Sequence, residues 1–311
     1  MRPAPPAATL SGVIRQPRGP FAPGDQVQLT DPKGRKHLLV LAEGRVFHTH
    51  RGGVAHDDLI GAPDGSVVKS SGGTPYVALR PLLADFTLAM SRGAAVVYPK
   101  DAAQIVALAD VFPGAAVLEA GAGSGALSCW LLRAIGTGGR LVSYERRPDF
   151  ADIARANVER FFGCPHPAWD LRVGDLAELP ADASGDEVVS VGAQQADRFD
   201  RVVLDMLAPW EFVTLSAVVL TGGGVLCCYV ATVTQLSRTV EAIREHGGYD
   251  EPAAWESMVR GWHADGLAVR PEHRMVGHTG FLITARRLAA GAVAPPRRRR
   301  PAKASRGEPD Q

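Results

Sequence analysis

Residues 117–128, VLEAGAGSGALS, carry the residue types of a nucleoside-cofactor site. A short apolar run ends at Glu119, glycines follow at Gly121, Gly123 and Gly125, and residues 126–135 have helix-forming composition. Glycines let the backbone approach a ligand where a Cβ would collide, and free amides at a helix start suit a polar or anionic group. The pattern predicts a strand, a tight turn and a helix that bind such a cofactor; the alternative is a generic glycine-rich turn.

The spacing of a second acid discriminates between cofactors. Glu145 ends a predicted strand at residues 140–145, and in a doubly wound sheet such a carboxylate can accept both ribose hydroxyls of an adenosine. Dinucleotide sites share that device but bind pyrophosphate with GxGxxG, whereas this chain has GxGxG preceded by Glu119. An acid at that position suits the ammonium and sulfonium of S-adenosylmethionine and would repel pyrophosphate. The spacing therefore favours S-adenosylmethionine.

Two more acids are predicted at the carboxyl edge of the same sheet. Asp175 follows the third strand, LRVGD, where it can accept a hydrogen bond from the adenine amino group; its alternative role is a strand-end cap. Asp205 ends the fourth strand, RVVLD, at the edge that the transferred methyl group must face. Pro209 and Trp210 follow it as a stiff turn with a large aromatic ring. Asp205 is thus predicted to border the cofactor and to act on the acceptor.

The order of elements predicts an α/β fold with a doubly wound, mostly parallel sheet. Short runs such as QVQLT, HLLVL and YVALR alternate with turn signals before it, as in a small antiparallel β-domain. We expect a disordered N-terminal extension at residues 1–20, the β-domain at 21–83, the domain with the cofactor motifs at 84–290 and a basic disordered tail at 291–311. Further helices are predicted at residues 149–162 and 234–246, and an antiparallel edge at residues 267–270 and 280–286.

Composition excludes several classes of protein. The net charge of the 311 residues is +1, so any RNA-binding surface must be a local patch. The four cysteines lack metal-ligand spacing, and the pair Cys227 and Cys228 lies in an apolar strand as expected of buried, reduced thiols. No apolar stretch has the length of a signal peptide or a membrane span, which leads us to expect a cytoplasmic protein.

The histidines of FHTHRG raise the question of a metal. His48 and His50 share a strand face, and His56 follows, but no cysteine or acid stands at zinc spacing. We therefore expect no metal, and we expect surface or RNA-contacting histidines. The predicted phosphate contacts nearby and in the tail, which would position a nucleic acid without reading its sequence, are Arg51, Lys69, Arg80 and the RRRR run at residues 297–300.

Six motifs together resemble the tRNA (adenine-N1)-methyltransferases that modify the T-loop adenine, in their actinobacterial form. They are VLEAGAGSGAL, SYE, VLDMLAPWE, YVATVTQ, YPKDAAQIV and GHTGFL, and the resemblance runs from about residue 21 to 288. It implies a class I, Rossmann-like methyltransferase fold with a small N-terminal β-domain, S-adenosylmethionine as donor, tRNA as partner and a homotetramer built as a dimer of dimers. The Pro-rich N-terminus and an insertion-like stretch at residues 182–196 depart from the family pattern.

The resemblance also implies roles for individual residues. Asp205 would be catalytic, Glu145 would hold the ribose hydroxyls, and Asp175 with Leu176 would frame the adenine. Residues 124–127 would line the methionine and ribose of the cofactor. With the residues argued above, the expected cofactor site comprises Glu119, Gly121, Gly123, Ser124, Gly125, Ala126, Leu127, Glu145, Asp175, Leu176 and Asp205.

The chemistry of the acceptor supports the role of Asp205. The N1 lone pair of adenine lies in the ring plane and needs no base before it attacks the methyl group, but the product ring is cationic. A carboxylate that accepts a hydrogen bond from the exocyclic amine, and later its proton, would stabilise the developing charge. The adenine must also leave its stack, and Tyr98, Trp210 and Tyr229 are candidates to hold the flipped ring, with core packing as their alternative role.

Two other functions remain open at this point. One is a class I methyltransferase acting on a protein carboxylate or a small molecule; an acid beside an anionic acceptor would be unfavourable there. The other is a noncatalytic tRNA-binding subunit, which would be expected to have lost residues such as Glu119, Glu145 and Asp205. A self-sufficient homo-oligomeric enzyme is the favoured interpretation.

Overall fold

The computed structural model describes residues 19–93, 95–179 and 198–294. The predicted N-terminal extension lies almost wholly outside these ranges, and so do the insertion-like stretch and the arginine-rich tail. The chain divides into two compact units. Unit 1 comprises residues 1–106, 111–115 and 121–175, and unit 2 comprises residues 107–110, 116–120 and 176–311.

Unit 1 begins with a small β-domain. Its four-stranded antiparallel sheet has the order β2-β1-β6-β5, and β3 and β4 form a separate hairpin. Alternating apolar residues of these strands pack into one core with Phe21, Leu41 and Leu59. The strands are β1 Gln26–Thr30, β2 Lys36–Val40, β3 Val46–Thr49, β4 Gly52–Ala55, β5 Val67–Lys69 and β6 Pro75–Leu79.

The rest of unit 1 carries the glycine turn and the strand that ends at Glu145. Its helices are α1 Leu83–Ala89, α2 Pro99–Leu108, which runs two residues past the unit's boundary, α3 Ala126–Ile135 and α4 Pro148–Phe162. Its parallel strands are β8 Arg140–Glu145 and β9 Trp169–Val173. Glycines with positive φ flank α3 at both ends, and Pro148 starts α4, so the predicted bounds of these helices hold to within one residue.

Unit 2 contains β7 Ala116–Ala120, β10 Phe199–Asp205, α5 Val213–Val219, β11 Leu220–Val230, α6 Val233–His246, β12 Ala253–Glu256, β13 Val259–Asp265, β14 Ala268–Val276 and β15 Phe281–Arg286. Strands β7, β10 and β11 are parallel, whereas β15 and then β12 add an antiparallel edge. The seven-stranded sheet has the order β12-β15-β11-β10-β7-β8-β9. This confirms the doubly wound, mostly parallel sheet. Residues 280–286 join that edge as predicted, but residues 267–270 do not, because they belong to the separate hairpin β13–β14.

The two adjacent free thiols of β11 are unreactive. Cys227 and Cys228 are both fully buried, as predicted, and burial raises the pKa of Cys227 to about 12. Both thiols are therefore protonated at neutral pH and are not nucleophiles. Within the described ranges, no helix combines the length and apolar character needed to cross a bilayer.

Candidate active site

The glycine turn after β7 is anchored on β8. The amides of Gly121 and Ala122 both donate to the carbonyl of Tyr144, at 3.0 and 3.2 Å. Gly125 has φ +77°, and a Cβ there would lie 3.1 Å from the backbone of Ala154 in α4. A side chain at position 125 is therefore disfavoured both by conformation and by the close approach of α4.

Glu145 is fixed by backbone amides. Its Oε2 accepts from the amide of Gly123 at 2.8 Å, and its Oε1 accepts from the amide of Arg147 at 3.1 Å. The residue is only 6% exposed. The structure thus brings Glu145 against the glycine turn, with both carboxylate oxygens oriented by backbone N–H groups.

Ser124 is buried and forms hydrogen bonds within the protein. Its Oγ accepts from the amide of Gly93 at 3.1 Å, and its carbonyl accepts from Nδ2 of Asn157 at 2.9 Å. Asn157 also donates to the carbonyl of Ser91, which ties α4 to two loops. Sequence reasoning missed Asn157; the available signal was an amide on the apolar face of α4. Ala126 and Leu127 are buried in the first turn of α3.

Asp175 already has a cationic partner. Its Oδ2 lies 2.9 Å from a guanidinium nitrogen of Arg146, and the amide of Gly174 donates to the carbonyl of Glu145. An adenine amine at Asp175 would therefore have to share this carboxylate with Arg146. In unit 2, Leu176 is buried and begins a short 3-10 turn.

Asp205 lies on β10, between β11, which carries Tyr229, and β7, which carries Glu119. It is the last residue of β10, is partly buried and pairs in register with Tyr229 of β11. On the other side, β7 places the fully buried Glu119 opposite Val203. Because the carboxyl ends of parallel strands share one edge, Asp205 and Tyr229 lie side by side there.

The loop at residues 277–280 holds Tyr229. The Tyr229 hydroxyl donates to the carbonyl of Thr279 at 3.0 Å, and a Cβ on Gly280 would lie 2.4 Å from the Tyr229 ring. His278 fastens the same loop, with Nδ1 2.9 Å from Oε1 of Glu256 and Nε2 2.9 Å from the carbonyl of Ala231. The motif GHTG is recognisable in the sequence, but the sequence indicates no role for its histidine. In the structure, His278 holds the loop in place through these two contacts.

Trp210 lies in the 3-10 turn Pro209–Phe212 and is stacked with an arginine. The guanidinium carbon of Arg238, on α6, is 4.1 Å from the ring centroid. Gln235 joins the same elements, because its Nε2 donates to the carbonyl of Leu207 at 2.8 Å while its Oε1 accepts from the amide of Thr232. Neither Gln235 nor Arg238 was singled out from the sequence, although Gln235 belongs to the quoted motif YVATVTQ.

The third aromatic candidate, Tyr98, is in unit 1. Its carbonyl accepts from the amides of Asp101 and Ala102 at 2.9 Å, which starts α2, and the residue is 36% exposed. Core packing is therefore not the role of its side chain, and a place near the acceptor stays a prediction.

The histidines divide into two kinds. His48 and His50 are exposed, as predicted. His56 is buried, and its Nδ1 accepts from the amide of Ala42 at 3.1 Å, so the expectation of a surface position is wrong for this residue. Its imidazole satisfies a backbone donor of the β-domain. The described part of the chain contains no group of three or more histidine, cysteine or acidic residues placed to hold a metal ion.

Arg80 is a structural residue of the β-domain. It pairs with Asp25 at 2.7 Å and with Asp64 at 3.5 Å, and its side chain is only 14% exposed. The guanidinium of Arg80 is thus already paired within the β-domain, and a phosphate contact by this residue stays a prediction. Lys69 is exposed and Arg51 is half-exposed, so phosphate contacts by these two residues stay predictions.

Comparison with known proteins decides the family. Residues 19–68 match the TrmI-like N-terminal domain, and residues 76–266 match the tRNA methyltransferase complex GCD14 subunit. A tRNA (adenine(58)-N(1))-methyltransferase TrmI of Thermus thermophilus is 36% identical over 84% of this chain and 96% of its own length. The chain belongs to the tRNA (adenine-N1)-methyltransferase family. The TrmI of Methanocaldococcus jannaschii, described as an adenine(57)-N(1)/adenine(58)-N(1) enzyme, is 31% identical over 83% of this chain and 93% of its own.

Solved structures agree with the class I methyltransferase fold. A SAM-dependent O-methyltransferase from Thermotoga maritima is 29% identical, with a TM-score of 0.77 over 86% of this chain and 95% of that one. The tRNA (m1A58) methyltransferase TrmI from Aquifex aeolicus has a TM-score of 0.73 at 24% identity, over 87% and 100% of the two chains. The family resemblance, the class I fold and the prediction of a methyltransferase enzyme are confirmed.

Proposed function

We propose that this chain transfers a methyl group from S-adenosylmethionine to N1 of the T-loop adenine of tRNA, at position 58. The observation that carries the proposal is the carboxylate of Asp205 in register with Tyr229 at one edge of the sheet. A carboxylate and an aromatic ring are what a flipped adenine that becomes cationic requires. The near full-length similarity to the Thermus enzyme named for this reaction supports the same acceptor.

The residues of the glycine turn and its neighbours fit S-adenosylmethionine. Gly125 lets the turn pack closely against α4, and Glu145, whose oxygens accept from two backbone amides, is the proposed acceptor for the ribose hydroxyls. Glu119 supplies a buried acid suited to a cationic cofactor, and Asp175 is the candidate for the adenine amine. When bound, the cofactor supplies a methyl group on a sulfonium.

On the acceptor side, the protein has to hold and stabilise the adenine. Asp205 accepts a hydrogen bond from the exocyclic amine, so that the positive charge forming on the ring meets a fixed negative charge. Tyr229 presents its ring while its hydroxyl is engaged by Thr279. Tyr98 and Trp210 complete the set of proposed acceptor-binding residues.

The rival function is methylation of an oxygen acceptor. It is favoured by the Thermotoga structure, which is described as an O-methyltransferase. A hydroxyl acceptor would need a base to remove its proton, and a carboxylate acceptor would be repelled by Asp205, whereas adenine N1 needs neither a base nor a neutral site.

The product of the reaction tests the proposal. Purified protein is incubated with labelled S-adenosylmethionine and an unmodified tRNA transcript, and the RNA is digested to nucleosides for mass spectrometry. We expect N1-methyladenosine that maps to the T loop and is lost from a transcript with guanine at position 58. An unlabelled RNA, with cofactor binding demonstrated by calorimetry, would contradict the proposal and leave the oxygen acceptors.

We further propose that the enzyme is a homotetramer and that the hairpin β13–β14 is one of its contact surfaces. Nearly every residue of this hairpin is exposed. The register places Trp262 opposite Pro271 and Ala264 opposite Val269, so one side of the hairpin is apolar. Isolated two-stranded hairpins are marginal in water, and an exposed apolar patch of this kind marks a protein contact.

Charge placed on that apolar side should break the assembly. Trp262 is 64% exposed, and we expect Trp262→Glu to lower the mass measured by light scattering from that of a tetramer to that of a dimer or monomer. His263→Glu puts the same charge on the other side of the hairpin, opposite Arg270, and should keep the tetramer. A monomeric wild-type enzyme would refute the tetramer, and a tetrameric Trp262→Glu variant would remove the hairpin from the interface.

A further inference from the structure

Arg238 is an exposed arginine with a fixed orientation close to the proposed acceptor site. Its guanidinium carbon is 4.1 Å from the ring centroid of Trp210, which follows Asp205 by five residues. A cation over an aromatic face at this distance is attracted by the negative potential of the ring. The stacking therefore selects one position for a side chain that would otherwise sample many rotamers.

Three other described arginines that stack on aromatic rings each form an ion pair with a carboxylate. Arg238 differs from them, because no carboxylate or carbonyl oxygen among the residues that the structure describes accepts a hydrogen bond from its guanidinium. The contrasting stacks and their acidic partners are Arg80 on Phe21 with Asp25, Arg147 on Phe150 with Glu145, and Arg172 on Tyr144 with Asp170.

The backbone around Arg238 fixes its distance from the loop that follows Asp205. Gln235, one turn earlier in α6, bonds the carbonyl of Leu207 at 2.8 Å and closes a capping box with Thr232. The first turn of α6 is thus tied to the segment that connects Asp205 with Trp210. Arg238 is consequently presented from a braced element and not from a mobile loop.

A guanidinium that is held in one orientation and has N–H donors without an acceptor is suited to bind an oxyanion. Its planar N–H groups can bind two oxygens of one phosphate at once, which a lysine cannot reproduce. A tRNA presents such a phosphate at each nucleotide, and phosphate contacts fix the position of an RNA without reading its sequence. A base stacked on the same indole face would have to displace the guanidinium, so on that face Trp210 supports Arg238.

We propose that Arg238, held on Trp210, binds a backbone phosphate of the tRNA at or next to the target adenine and so positions the acceptor. This inference rests on the proposed function, because it takes tRNA as the substrate. It assigns Arg238 a binding role, which predicts an effect on the affinity for tRNA and not on the affinity for the cofactor.

The test measures binding of an unmodified tRNA transcript by the full chain over a series of salt concentrations. We expect Arg238→Ala to weaken binding and to raise the KM for tRNA about tenfold, and to lower the slope of log Kd against log salt by about one. The kcat at saturating tRNA and the Kd for S-adenosylmethionine should stay at wild-type values. Arg238→Lys should restore the salt slope and only part of the affinity, because it keeps the charge and loses the planar fork.

Two controls make the result specific. Arg155→Ala removes an exposed helical arginine that pairs with Asp152, and it should leave both the affinity and the salt slope unchanged. Trp210→Leu should weaken tRNA binding, and its effect should be smaller in the Arg238→Ala background than in the wild type, since the part of its effect that acts through the guanidinium is already lost there.

Other outcomes overturn the inference. A wild-type salt slope in Arg238→Ala, a loss confined to kcat, or an equal loss in Arg155→Ala would each exclude a phosphate contact by Arg238. The proposed function fails separately, by an absence of N1-methyladenosine in the wild-type reaction, whereas the salt series reports on Arg238 by tRNA binding alone.

Discussion

Replacing Asp205 by alanine should lower the single-turnover rate of tRNA methylation by about 100- to 1,000-fold, the usual cost of removing one preorganised electrostatic partner of a transition state. The ring becomes cationic only as the methyl group arrives. A carboxylate that is already fixed at the end of β10 therefore stabilises the transition state more than the bound substrate. Measurement at saturating cofactor and tRNA separates this loss from any change in binding.

Matched variants identify the charge as the cause. Asp205→Asn keeps the size and polarity of the side chain but removes its charge, and it should lose most of the same rate. Glu211→Gln removes an exposed carboxylate from the adjacent 3-10 turn and should retain the wild-type rate. Wild-type turnover in Asp205→Ala, with S-adenosylmethionine still bound, would show that this carboxylate is not the catalytic group.

The local parts of the site could be predicted from the sequence because local interactions determine them. Helix α3 has its predicted bounds, since glycines with positive φ stand on both sides of it. Strand β8 ends at Glu145 as predicted, and the carboxylate reaches the glycine turn only 22 residues earlier in the chain. In such cases the spacing of residue types contains nearly all of the geometry.

Partners distant in sequence could not be predicted in the same way. Asn157 bonds the carbonyl of Ser91, 66 residues away, and Arg80 pairs with Asp25, 55 residues away. The sequence around His56 does not indicate whether its imidazole faces solvent or accepts from a buried amide. Only the three-dimensional fold decides between these two environments. For the same reason the sequence does not predict the stacking of Arg238 on Trp210, which depends on how α6 packs after β11.

Replacing Glu145 by glutamine should raise the Kd for S-adenosylmethionine by about 100-fold, measured by calorimetry. Each hydrogen bond from a ribose hydroxyl to a charged acceptor contributes about 1.5–3 kcal/mol, and about 1.4 kcal/mol corresponds to a factor of ten. The glutamine has a further defect, because both oxygens of Glu145 accept from backbone amides and an NH₂ group would face one of those donors. The glycine turn would lose one of its braces together with the cofactor contact.

Two further variants separate loss of the ribose contact from loss of folding. Glu159→Gln removes an exposed acid of α4 and should keep the wild-type affinity for the cofactor. Glu145→Asp keeps the charge but withdraws it by one methylene, so it should weaken cofactor binding while tRNA binding stays near wild type, and the thermal midpoint of the cofactor-free protein measures any loss of the brace. If both Glu145 variants bound S-adenosylmethionine with wild-type affinity, the ribose would have to be held elsewhere, and Glu145 would be a brace of the turn alone. A loss in Glu145→Asp with the midpoint unchanged would show that the position of this carboxylate, and not only its charge, determines cofactor affinity.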